Sequence, residues 1–346
     1  MFRQDRTNPS TAVSNWHARL NTKNGWPSTA VSTWLNGGLF AAAGGVAGYY
    51  GGGSTGSGNT DVIRKMDFNN DVAATIAATL NAAAYLVSGM ANSGTAGYFG
   101  GGLASSNLTT VDKIDFSDDS RTTLGTGLSA AKQLPAGLGN TGVAGYFAGG
   151  LGTSSVDKFS FSDDSRTTLG TGLDGSTNTG TGFSNSGTAG YATAGYVDLG
   201  SGFGCQTTVY KITYSDDSMS TLSTGLATGS RYNGAMANVG TAGYVGGGYP
   251  CGDPYLDTVN KFSFSDDSRT TLSTGLSQGL YAPSGYALTG TAGYFVAGTC
   301  CAGVSWTKQT QAEKFSFADD SRSIVSSVLA TGTNSAGAMA NEGAFE

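Results

Sequence analysis

The chain has 346 residues with 56 glycines, only 12% charged side chains and a formal net charge of −6. That balance argues against nucleic-acid binding, which depends on neutralising phosphates. The single histidine, His17, leaves nothing for a histidine-rich zinc or copper centre or a His-bearing triad in the body of the protein. Sixteen Tyr and 16 Phe among many Gly, Ser and Thr give an all-β composition, and their recurrence at fixed places separates the chain from disordered sequences of similar hydrophobicity.

Residues 1–35 read as an arm distinct from residues 36–346. PSTAVSNW (9–16) returns as PSTAVSTW (27–34), and Trp16, Trp26 and Trp34 are three of the four tryptophans. Arg3, Arg6, Arg19 and Lys23 against Asp5 make the arm +3, which leaves 14 cations and 23 anions, or −9, for the rest. Such an arm is expected either to pack across its own domain, because tryptophan seldom stays exposed, or to anchor it to a neighbouring protein. Trp16, Trp26, Trp34, Arg3, Arg6 and Arg19 are then the partner-binding residues, of types typical of interface hot spots.

Two phrases recur down the remaining chain. The first ends in Gly-Tyr and runs into glycines: GVAGYYGGG (45–53), GTAGYFGGG (94–102), GVAGYFAGG (142–150), ATAGYVDLG (192–200), GTAGYVGGG (240–248) and GTAGYFVAG (290–298). Its tyrosines, Tyr49, Tyr98, Tyr146, Tyr196, Tyr244 and Tyr294, span 245 residues in five intervals, an average of about 49, and a period of that size marks a propeller or another repeat array. The second phrase is IRKMDFNNDVAATI (63–76), VDKIDFSDDSRTTL (111–124), VDKFSFSDDSRTTL (156–169), VYKITYSDDSMSTL (209–222), VNKFSFSDDSRTTL (259–272) and AEKFSFADDSRSIV (312–325).

One unit reads as four short strands: a small-residue strand in 230–240, the Gly-Tyr strand in 240–248, an alternating strand in 259–265 and a last strand in 269–276. A single sheet of this kind cannot shield both faces, whereas blades set radially cover one another. The order of strands, the glycines after an aromatic and the period resemble the kelch repeat over about residues 35–346, with Leu124, Leu169, Leu222 and Leu272 where kelch units carry a final-strand tryptophan. This resemblance implies an all-β, six-bladed kelch-like β-propeller. The phrasing GTAGYF followed by VDKFSFSDDSRTTLGTGL is also similar to repeat proteins among the virion structural proteins of tailed phages, marine ones and cyanophages especially. For closure, GAMANEGAFE (337–346) copies the first strand of a unit and stops where a Gly-Tyr phrase is due; GGLFAAAGG (37–45) competes for the same place.

The paired acids Asp118-Asp119, Asp163-Asp164, Asp216-Asp217, Asp266-Asp267 and Asp319-Asp320, with Asn70-Asp71 in the first unit, fall on one rim. Turn capping is the favoured reading over a calcium ring, with Arg121, Arg166, Arg269 and Arg322 as local charge partners. Lys65, Lys113, Lys158, Lys211, Lys261 and Lys314 read as structural, stems between blades and ammonium groups near carboxylates. Cys205, Cys251, Cys300 and Cys301 occupy the post-glycine loops of units four to six, where inter-blade disulfides and unpaired thiols both remain open.

Those loops also differ most between units, and loops on a rigid scaffold usually carry recognition. Tyr249, Tyr255 and Trp306 are the candidate loop recognition residues, against simple packing of the loops on themselves. No catalytic, cofactor-binding or metal residues are singled out, since the acids obey the symmetry that an active site breaks. The ligand histidines of copper-oxidase propellers are missing, and the glycine phrases lack the ending of a phosphate loop. No secretory signal or membrane span is read. The expectation is therefore a non-enzymatic virion structural and interaction protein without cofactor. It is displayed on a phage capsid or tail through the arm, with other virion proteins in a symmetric assembly as partners and the host surface as a further contact. The alternative is a carbohydrate-binding adhesin using the variable loops on a host-surface glycan. Neither nucleic acid nor membrane is an expected partner.

Overall fold

The computed structural model describes residues 46–342 apart from 175–176, 179, 199–202, 253, 301–305 and 327. The arm, with Trp16, Trp26, Trp34, Arg3, Arg6 and Arg19, and the segment 37–45 lie outside the described residues.

Six four-stranded antiparallel sheets follow one another as the blades of a β-propeller, and among the described residues there is no helix. From the axis outwards, blade two consists of Ser88–Asn92, Ala96–Gly100, Val111–Asp115 and Arg121–Thr123. Blades three, five and six repeat that order, starting from inner strands Ala136–Asn140, Gly234–Asn238 and Ser284–Leu288. Blade one takes its inner strand, Gly337–Asn341, from the C-terminal end of the chain; it pairs antiparallel with Ala47–Gly51, Tyr49 opposite Met339. The closing role that the sequence left open between two segments belongs to this strand.

Blade four corrects the sequence alignment. Its second strand is Ala189–Thr193, whose tyrosine is Tyr191 rather than Tyr196. Both phrases read Ala-Gly-Tyr, but only Tyr191 lies opposite the repeat lysine, Lys211. Tyr196–Asp198 belongs instead to a small side sheet with Thr177–Asn178 and Phe203–Cys205.

The second strand of every blade is buried at all five positions. Its Ala-Gly-Tyr core is a socket: a Cβ on Gly145 would lie 2.3 Å from Met90 Sδ of blade two, and one on Gly48 would lie 2.5 Å from the ring of Tyr286. The inner strand of each blade thus presses a large side chain into the glycine of the next. The aromatics that follow fill the remaining space, as Phe147 does at zero exposure, each contributing roughly 1.5–3 kcal/mol by burial.

A polar latch repeats beside these contacts. Asp164, in the turn of blade three, accepts hydrogen bonds from Tyr98 Oη at 2.8 Å and Lys113 Nζ at 2.7 Å, both of blade two. The same triplet is Tyr49 and Lys65 on Asp119, Tyr146 and Lys158 on Asp217, Tyr191 and Lys211 on Asp267, Tyr244 and Lys261 on Asp320, and Tyr294 and Lys314 on Asp71 across the closure. Each ammonium also stands 5.3–5.5 Å from its tyrosine ring centre, a cation–π placement. Burial first, and then the facing carboxylate, raises the pKa of these hydroxyls, Tyr244 to about 12 because Lys261 pulls the other way.

The expected capping by the acid pairs holds for one member of each. Asp163 accepts from Ser165 N–H and Oγ, and these bonds hold its carboxyl below the usual carboxylate range. Its neighbour Asp164, at φ 57°, turns instead to the preceding blade. The arginines do not serve these pairs: Arg121 meets Asp112 at 3.1 Å, Arg322 meets Glu313 at 3.6 Å and Arg269 donates to Asn260. They reach across to the third strand because the second aspartate is already taken by lysine and tyrosine.

Candidate recognition site on the loop face

The up-and-down course of each blade puts the Asp turns and the hairpins between inner and second strands on one face. The post-glycine loops and the links between blades lie on the other. Val46 and Glu342 both lie on the Asp-turn face: Phe68 N–H donates to Val46 O at 3.2 Å and Glu342 N–H to Ser93 Oγ at 2.8 Å. The loop face is therefore opposite the ends of the described chain.

On the loop face a ring of residues enters the inner strands in left-handed conformation: Leu86 (φ 57°), Leu134 (53°), Tyr232 (59°), Ala282 (51°) and Ser335 (57°). Bulky residues rarely adopt this conformation. Here a chain of backbone bonds around the axis holds it: Leu134 N–H to Leu86 O, Leu86 N–H to Ser335 O, Ser335 N–H to Ala282 O and Ala282 N–H to Tyr232 O, at 2.6–3.1 Å. The rigid ring fixes the residue before each member, and in blade five that residue is Arg231.

Arg231 exchanges two backbone hydrogen bonds with Tyr249, at 3.0 and 2.8 Å. Its guanidinium carbon stands 4.2 Å from the ring centre of Tyr196, 5.1 Å from Tyr232 and 5.3 Å from Tyr249. The rings continue outwards. Tyr281 lies 4.8 Å from Tyr232 and 5.5 Å from Tyr255, Tyr249 meets Tyr255 edge-on at 5.9 Å, and Tyr255 meets Trp306 edge-on at 5.8 Å. Burial, then the proximity of Tyr232, pushes the Tyr281 hydroxyl well above the ordinary tyrosine pKa. Tyr255 is 5% exposed and forms the floor, whereas Trp306 is 70% exposed.

A disulfide between Cys205 and Cys251 ties the side sheet of blade four to the loop of blade five beside this cluster. Cys300 is also disulfide-bonded, so of the two alternatives left open by the sequence the described cysteines take the disulfide. Cys301 lies outside the described residues.

The three residues singled out in the sequence, Tyr249, Tyr255 and Trp306, are thus brought together, one as floor, one as wall and one facing solvent. Missed were Arg231, Tyr232 and Tyr281, which sit in the links before inner strands rather than in the variable loops. The signal for them was available as a break in symmetry: the slot of Arg231 and Tyr281 is Tyr85 in blade two and Gln133 in blade three. Comparison with models of known protein families finds no match, and no curated protein matches the chain.

Proposed function

We propose that the chain is a non-enzymatic interaction protein, a rigid propeller carried on a larger assembly through one face and recognising a partner with the aromatic loops of blades four to six on the other. The observation that carries this reading is the departure from symmetry. Latches, sockets and turn caps repeat around the ring and serve its integrity, while among the described residues the aromatic cluster and the Cys205–Cys251 staple occur on one side only. A hydrolase built on the paired carboxylates is disfavoured because the second acid of each pair is engaged by a lysine and a tyrosine.

The resemblance to phage virion proteins supports a capsid or tail appendage as the assembly, with the basic arm, residues 1–35, as attachment. Val46 itself lies on the Asp-turn face, opposite the cluster. The test is a virion assembled with the full chain, with residues 1–35 deleted, or with Trp306→Ala. Loss of incorporation on arm deletion, and normal incorporation with impaired adsorption for Trp306→Ala, are the expected results. Normal incorporation without the arm overturns the attachment, and unimpaired adsorption overturns the recognising face.

A further inference from the structure

We infer that the cluster running from Trp306 to Arg231 is a binding site for a short, uncharged oligosaccharide; the inference rests on the loop face being the recognising surface and names what that face takes. Trp306 is the one large aromatic among the described residues that offers most of its surface to solvent. It is propped edge-on against Tyr255, which is itself buried, so the indole is presented rather than dangling. A flat apolar ring held in this way matches the C–H face of a pyranose, whose hydroxyls lie around its rim.

The remaining geometry supplies partners for that rim. From Tyr255 the rings step to Tyr249 and Tyr281 at 5.5–5.9 Å, a row longer than a single sugar unit. At its inner end stands the Arg231 guanidinium, fixed by flanking tyrosine rings and making no ion pair among the described residues. A planar fork of donors, pre-organised by stacking, suits vicinal hydroxyls and loses little entropy on binding.

Charge decides between occupants. Residues 36–346 carry 14 cations against 23 anions, so a nucleic acid or sulfated polysaccharide would meet an acidic body with one guanidinium in the cluster. A protein partner needs roughly 800 Å² of surface on each side. Among the described residues, the exposed large apolar side chains on the loop face are Trp306 and Leu151. A neutral sugar needs only the stacking surface and a few donors.

The experiment uses the full, unreduced chain on an array of neutral, carboxylated and sulfated glycans, followed by calorimetric titration of the best neutral trisaccharide. Wild type is expected to bind neutral glycans with Kd of about 1 mM or better. Trp306→Ala is expected to weaken binding at least about tenfold with unchanged thermal unfolding, Trp306→Phe to restore part of it, and Arg231→Lys to weaken it with the stacking platform intact. Binding of charged glycans alone, no glycan binding, or an affinity that Trp306→Ala leaves unchanged overturns the inference. Adsorption to periodate-oxidised cells separates this failure from the broader one. If adsorption survives oxidation but falls with Trp306→Ala, the face recognises protein and only the sugar is wrong. If Trp306→Ala changes neither, the recognising face is wrong as well.

Discussion

Replacing Asp164 tests what holds one blade to the next. Its carboxylate takes the hydroxyl of Tyr98, a residue 1% exposed, and the ammonium of Lys113, with both charged side chains 27% exposed. In Asp164→Gly the left-handed backbone is kept and the latch is lost. Leaving the Tyr98 hydroxyl without its acceptor costs about 1–3 kcal/mol, and the ion pair, discounted for its exposure, adds about 0.5 kcal/mol. Asp164→Ala adds the strain of a Cβ at φ 57°, about 1–2 kcal/mol. Asp164→Asn keeps an oxygen for Tyr98 and tolerates the left-handed region, so its loss is only about 1 kcal/mol. Urea unfolding at neutral pH should therefore rank the losses Ala, Gly, Asn, with Asp163→Ala, which removes only an exposed turn cap, below Gly. A Gly variant within about 0.5 kcal/mol of wild type, or no worse than Asp163→Ala, would refute the latch as a source of stability.

Glu342 makes the closure sensitive to pH. Its carboxylate accepts from Thr289 N–H and Oγ1 at 2.9–3.1 Å, and burial raises its pKa from 4.5 to about 7. The folded state therefore holds a proton that the unfolded chain releases, and stability should fall as pH rises from about 4.5 through 7, by about 3 kcal/mol in all. Glu342→Gln should remove that slope in denaturation curves; an unchanged slope assigns it to other groups. Gly137→Ala would place a Cβ 2.0 Å from the backbone oxygen of Gly89 and should cost about 1–3 kcal/mol or more, whereas Gly125→Ala, with open space around it, should be neutral; equal effects would contradict close packing of inner strands at the axis. Cys251→Ser should leave the six blades folded but speed amide exchange in the loops of blades four and five, and uniform exchange would show that the disulfide does not hold them.

The blade count, the order of strands and the lysine set were legible because each depends on residues that recur. Lys113 reads as structural from its repetition alone, and the latch explains why six copies exist. The division of labour within Asp163-Asp164 was not legible, since neighbouring acids look alike until the turn sends one into the left-handed region. Blade four misled because Ala-Gly-Tyr occurs twice within a few residues, at 189–191 and 194–196, and only pairing with Lys211 distinguishes them. At the recognition site, Trp306 and Tyr255 were marked by loop variability. Arg231 was hidden in a link whose backbone is constrained by the axial ring, a long-range feature that no local pattern carries.

The junction between the last blade and the first differs from the others in one chemical detail. At five junctions an asparagine ending an inner strand caps the glycine of the next hairpin, as Asn92 does for Gly142 at 2.8 Å and Asn341 for Gly94 at 2.9 Å. Blade six has Leu288 there, facing a place where Ala47–Gly51 and Gly337–Asn341 pair without a hairpin between them. The break in the asparagine series thus marks the junction at which the next blade draws its inner and second strands from distant parts of the sequence. A circular permutant opened at another blade would have to move the leucine and the glutamate with the opening.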